Sequence, residues 1–230
     1  MAKRMYRLCM EGIVCACGAS ALELYRSSKR LIPTLLDKPR TGKVAGLMVP
    51  PRQFLEDDMT ARGVTKQPYH VLVDGNHGYN PRRDIHAVAC YHPLPPRSLI
   101  KIDKGFWVTS PELTFIQICA DEDLSDFDII CLGYELCGTY VLDDSWDGLT
   151  CIDEPLTSTE KIGRLINSIH RVPGIKRARN LIKHVHDLSN SPMETILAIL
   201  VSLPTTKGGL GLGPCLLYTS DAADDMQCVD

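Results

Sequence analysis

At about residue 109 the hydrophobic pattern changes from short, strand-length runs to helical spacing, and this change restricts the fold class more than any other feature of the chain. Before it, Tyr69-His70-Val71-Leu72-Val73-Asp74 reads as a strand closed by the turn signal Asp74-Gly75-Asn76, and residues 85–91 give a second strand with Ile85, Ala87 and Ala89 on one face. Leu99-Ile100-Lys101-Ile102-Asp103 and Phe106-Trp107-Val108 are joined through Lys104-Gly105 as a hairpin. Residues 69–108 are therefore expected to form a small antiparallel sheet. Upstream, Ala21, Leu24 and Tyr25 mark one short helix bounded by Pro33, and the stretch through Lys66 reads as loop.

After the change, helix signals dominate. Thr109 with Glu112, and Thr157 with Glu160, have capping-box spacing, and Pro111 suits a first turn. A helix from Ser125 places Phe127, Ile130, Cys131 and Tyr134 on one stripe and can end at Gly138. Residues 175–188 read as an amphipathic helix, and Ser191-Pro192-Met193-Glu194 opens a last one that Pro204 terminates. The expected class is α+β, with the sheet first and a helical region after it.

Composition removes several function classes. A chain of 230 residues with 44% apolar and 23% charged residues suits an ordinary globular protein. No run approaches the ~20 apolar residues that span a bilayer, and Glu11 interrupts the stretch after the basic start, so a cytoplasmic location without a membrane partner is expected. Many of the ten cysteines sit in apolar strings such as Ile118-Cys119-Ala120 and read as small buried hydrophobes; no Cys-x-x-Cys pair supports a metal. No phosphate-binding glycine loop or Gly-x-Ser-x-Gly elbow is present, and 207–213 reads as a turn.

Two groups are candidates for function. Arg171, Lys176, Arg177, Arg179 and Lys183 are five cations in thirteen residues without an acid. With Ile175, Ala178, Ile182 and Val185 turned to a core, they would point outward as a nucleic-acid contact or as a solvated face. Glu194 is either the partner of Ser191 in a capping box or a carboxylate near a catalytic metal, which would need further acids and a lysine. Residues 215–230 contain four acids and no base, resemble translated sequencing-library adapter, and are set aside as an artefact. Without them 24 acids face 25 bases.

The order of these elements resembles bacterial proteins related to the AbiEi antitoxins, in which a regulatory region is joined to a very-short-patch-repair-like endonuclease domain of the PD-(D/E)XK type. The stretches that carry the resemblance are Ser20-Ala21-Leu22-Glu23, Cys90-Tyr91-His92-Pro93-Leu94-Pro95 and Trp107-Val108-Thr109-Ser110-Pro111-Glu112-Leu113. They continue with Leu132-Gly133-Tyr134-Glu135-Leu136-Cys137-Gly138-Thr139-Tyr140, Gly174-Ile175-Lys176-Arg177-Ala178-Arg179 and Ser191-Pro192-Met193-Glu194-Thr195.

The resemblance implies an antitoxin-like region over 1–152, a basic helical connector over 153–190 and the first helix of a truncated endonuclease-like domain over 191–214. It implies that Glu194 is the first catalytic acid of an incomplete site, that Mg2+ belongs only to a complete nuclease domain, and that this chain is itself inactive. The implied partners are DNA or, if the chain is a non-enzymatic antitoxin, a protein such as a toxin. The apolar stripe Met193, Ile196, Leu197 and Leu200 would then dock loosely or stand exposed, since the nuclease sheet that would cover it does not follow.

Overall fold

The computed structural model describes residues 12–28, 34–35, 37–76, 81–142 and 148–212. The tail set aside above and the basic start at residues 1–11 lie outside the described residues.

The chain is α+β, but its main sheet is mixed. β1 (Val14–Ala16), β2 (Arg40–Thr41), β3 (Tyr69–Asp74), β4 (Ile85–Cys90), β5 (Leu99–Lys101) and β6 (Phe106–Thr109) run in the order β2-β5-β6-β1-β3-β4. β1 lies parallel to β6, with Cys15 opposite Trp107, and antiparallel to β3, with Ala16 opposite Val71. Flanked on both sides, its Cys15 and Ala16 are fully buried.

The expected antiparallel sheet over 69–108 is corrected at β3 and β4, which pair in parallel from Tyr69 opposite Ile85 to Asp74 opposite Cys90. Asp74 Oδ1 accepts from Asn76, a local turn that does not fold β3 back onto β4. Tyr69 N–H donates to Asp84 O and Gly75 N–H to Cys90 O, each at 2.8 Å, so both ends are bonded in parallel register. The hairpin through Lys104-Gly105 does form, with Leu99 opposite Thr109.

α1 (Gly18–Ser27) follows β1 at the predicted place. Its start is tight: Gly18 has φ +50, and a Cβ there would lie 3.2 Å from His70 Nδ1. The stretch read as loop contains α2 (Arg52–Thr60), which buries only Leu55 and Met59.

α3 (Pro111–Ile118) is capped by Ser110 rather than Thr109, whose hydroxyl meets Thr114 Oγ1 at 2.8 Å. α4 (Asp126–Cys137) has the reciprocal box, Ser125 with Asp128. Such a cap contributes about 1 kcal/mol. A short hairpin of β7 (Tyr140–Leu142) and β8 (Leu149–Cys151) follows.

α5 (Thr159–Ser168) is capped by Ser158, because the Thr157 hydroxyl is engaged by Glu112 Oε1 at 2.7 Å. The amphipathic helix expected over 175–188 is shorter: α6 (Ile175–Leu181) passes into one 3-10 turn (Ile182–His184) and then extended backbone at Val185. α7 (Pro192–Ser202) completes the helices. Buried apolar side chains from Val14 to Leu203 form one continuous cluster, so 153–190 and 191–203 pack on the same core as the sheet.

Candidate functional site

The basic cluster does not stay together as a surface. Arg177 turns inward: its Nε donates to Asp126 Oδ1 at 2.9 Å, Nη1 to Asp121 O at 2.8 Å and Nη2 to Leu124 O at 2.6 Å. It thereby clasps the loop between α3 and α4. Gly174 makes this approach feasible, with φ +82 and a position where a Cβ would lie 2.3 Å from Ile116 O.

Arg179 Nη2 reaches Ile166 O at 3.4 Å, tying α6 to α5. Arg171, in the left-handed region at φ +61, is exposed together with Lys176 and Lys183. The five cations thus divide into the Arg177 clasp and four exposed charges, of which Arg179 also makes an inter-helix contact.

Glu194 acts as a cap in a modified form. Its N–H donates to Ser191 Oγ at 3.2 Å, while its Oε2 accepts from Asn190 N–H at 2.8 Å, one residue earlier than in the expected box. Among the described residues no three His, Cys, Asp or Glu side chains are grouped to hold a metal.

α7 has two unlike faces. Thr195, Ala198 and Ile199 are buried, and Thr195 Oγ1 lies 2.9 Å from both Tyr140 OH and Ser189 Oγ. The opposite stripe is bare: Met193 is 72% exposed, Leu197 48% and Leu200 47%, and Leu210 and Leu212 extend the patch. The expected uncovered stripe is there, on a helix held firmly by its other side.

A broad cleft of about 2000 Å3 runs between the β3-β4 edge, α1, α3, α4 and the start of α7. His70 and His86, opposite each other on β3 and β4, stack at 4.6 Å within its wall. Burial holds His70 below its ordinary pKa, helped by the neighbouring His86 and opposed by the Asp121 carboxylate. Gly18 N–H donates to Gln117 Oε1 at 3.0 Å nearby.

At the cleft wall, Arg26 of α1 bonds Glu135 of α4 through two contacts, and Glu135 Oε1 also accepts from Leu142 N–H at 3.0 Å. Sequence reasoning passed over this pair. The available signal was a glutamate between Tyr134 and Leu136 in an otherwise apolar helix, a place where a charge needs a partner.

Comparison with protein-family models, curated proteins and solved structures finds no match to this chain.

Proposed function

We propose that the protein is a DNA-directed regulator of the AbiEi-antitoxin kind, and that α7 is the first helix of an endonuclease-like unit whose catalytic strands are not among these residues. The observation that carries this reading is the two-faced α7. One face is fixed to the rest of the fold, and the other offers a bare apolar stripe of the kind that packs on a sheet. Glu194 stands on its first turn, and no Glu-x-Lys element lies between it and residue 230. Mg2+ would belong to a site completed by further acids.

In this reading DNA contact falls to Arg171, Lys176 and Lys183, the exposed members of the cluster that hold no contact to another helix. The test is duplex binding at low salt alongside magnesium-dependent cleavage: the reading expects binding without cleavage. Cleavage lost in Glu194→Gln would contradict it.

A second reading, an antitoxin or interaction module acting through a protein partner, is favoured by the same apolar stripe, because exposed patches of this kind mark interaction surfaces. It expects no duplex binding even at low salt.

A further inference from the structure

The two edges of the main sheet differ. β2 is two residues long and begins with Arg40 after Pro39, which protects that edge. β4 is six residues, Ile-His-Ala-Val-Ala-Cys, with no Asp, Glu, Lys or Arg, no proline and no bulge, and it pairs only with β3 among the described residues. The carbonyls of Asp84 and Cys90 face β3, so by strand alternation the N–H and C=O groups of Ala87 and Ala89 face outward. Neither residue has a further backbone partner among the described residues.

This open edge is also a wall of the cleft, which continues along β4 to Tyr91, itself 62% exposed. Leu22, Leu94, Leu124 and Cys131, each partly exposed, supply apolar surface in the same cleft. Asp121, Glu122 and Asp123, all exposed, give it a short acidic rim.

We infer that the β4 edge receives an extended segment of a partner protein by strand addition, and that every second residue of the segment, the set on the cleft side, is apolar except for a cation beside Asp121, Glu122 and Asp123. Backbone groups of Ala87 and Ala89 supply the pairing; on the sheet face that carries His70 and His86, the cleft takes the apolar side chains and its acidic rim the cation, while the intervening residues face away. The pairing edge is β4, apart from Lys176 and Lys183; Arg171 and the start of α7 also line the cleft, but strand addition does not depend on the DNA-directed reading.

The probe is a fluorescein-labelled peptide with threonine at every second position and valine, with one lysine, at the intervening cleft-side positions, compared with the same peptide N-methylated at every residue. The full chain is expected to bind the first at least about tenfold more tightly. Saturating peptide is expected to slow hydrogen exchange at the Ala87 and Ala89 amides about tenfold or more. Ala87→Pro, which removes an outward donor, is expected to weaken binding, and the methylated peptide tests the same bond without altering the protein. Glu122→Gln with Asp123→Asn is expected to weaken binding about threefold, the scale of exposed ion pairs. Equal affinity for both peptides, or unchanged exchange at Ala87 and Ala89, would overturn the inference. Protection produced by raising protein concentration alone would overturn it too, by assigning the edge to a second copy of this chain.

Discussion

Arg26 and Glu135 lie 109 residues apart in the chain and are joined by two parallel hydrogen bonds, Nε to Oε1 at 2.8 Å and Nη2 to Oε2 at 2.6 Å. The Glu135 side chain is only 2% exposed and the Arg26 side chain 26%, so the pair locks α1 to α4 with one partner almost out of water. Removing one member of a buried pair costs about 3–5 kcal/mol, and the partial exposure of Arg26 lowers that. Glu135→Ala is expected to destabilise the fold by about 2–3 kcal/mol in urea unfolding, because it removes both bonds to Arg26 and the acceptor of the Leu142 N–H. A loss below about 0.5 kcal/mol, the range of ordinary surface changes, would show that the pair does not hold the helices.

The basic cluster is expected to separate into two kinds of residue. Arg177→Ala loses three hydrogen bonds to the α3-α4 loop and should cost about 1–3 kcal/mol of stability. Lys176→Ala should leave stability within about 0.5 kcal/mol. Chemical denaturation of both variants checks this, and equal effects would contradict the division.

These residues show how far the sequence could be read. α3, α4 and α7 were legible because their caps and apolar periods are local, although the cap at α3 moved from Thr109 to Ser110. The mixed sheet was not, since β1 is three residues long and gains its place from β6 and β3, both far along the chain. α2 was hidden because only Leu55 and Met59 of its nine residues are buried, too few to show a period. Helical spacing put Arg177 on an outward face; the carbonyls of Asp121 and Leu124 that turn it inward come from another segment. The stripe on α7 was legible, but the anchoring of its opposite face by Tyr140 and Ser189 was not.

Stability should fall on mild acidification because His70 is held below its ordinary value near 6.5 by burial and by His86, with Asp121 opposing. A lowered folded-state pKa favours the neutral ring, so its contribution is complete above the unfolded value of about 6.5 and is lost as pH falls toward the folded value. His184, lowered by burial and by Lys207 and Lys183, acts in the same direction. Urea unfolding between about pH 7.5 and 5 should show this decline, and His70→Gln should flatten it. An undiminished slope in that variant would remove His70 as a cause.

Thiol reactivity should follow burial. Burial pushes Cys119 up to about 12 and Cys131 to about 11, and raises Cys15, Cys17 and Cys137 as well, whereas Cys151 is exposed. Iodoacetamide at about pH 8, read by peptide mapping, should label Cys151 well before Cys15, Cys17, Cys119 and Cys137. Labelling of those four at the Cys151 rate would mean that the core opens readily.

The DNA-directed reading is tested most directly by the salt dependence of binding. Anisotropy of a labelled duplex, titrated with the parent and with Arg171→Ala/Lys176→Ala/Lys183→Ala from about 50 to 200 mM salt, separates phosphate contact from its absence. The account predicts that the parent binds and that the variant binds more weakly. Its slope of log affinity against log salt should be shallower by about 2.7 units, three contacts at about 0.9 each. No binding by the parent at the lowest salt, or identical slopes for the two proteins, would contradict it.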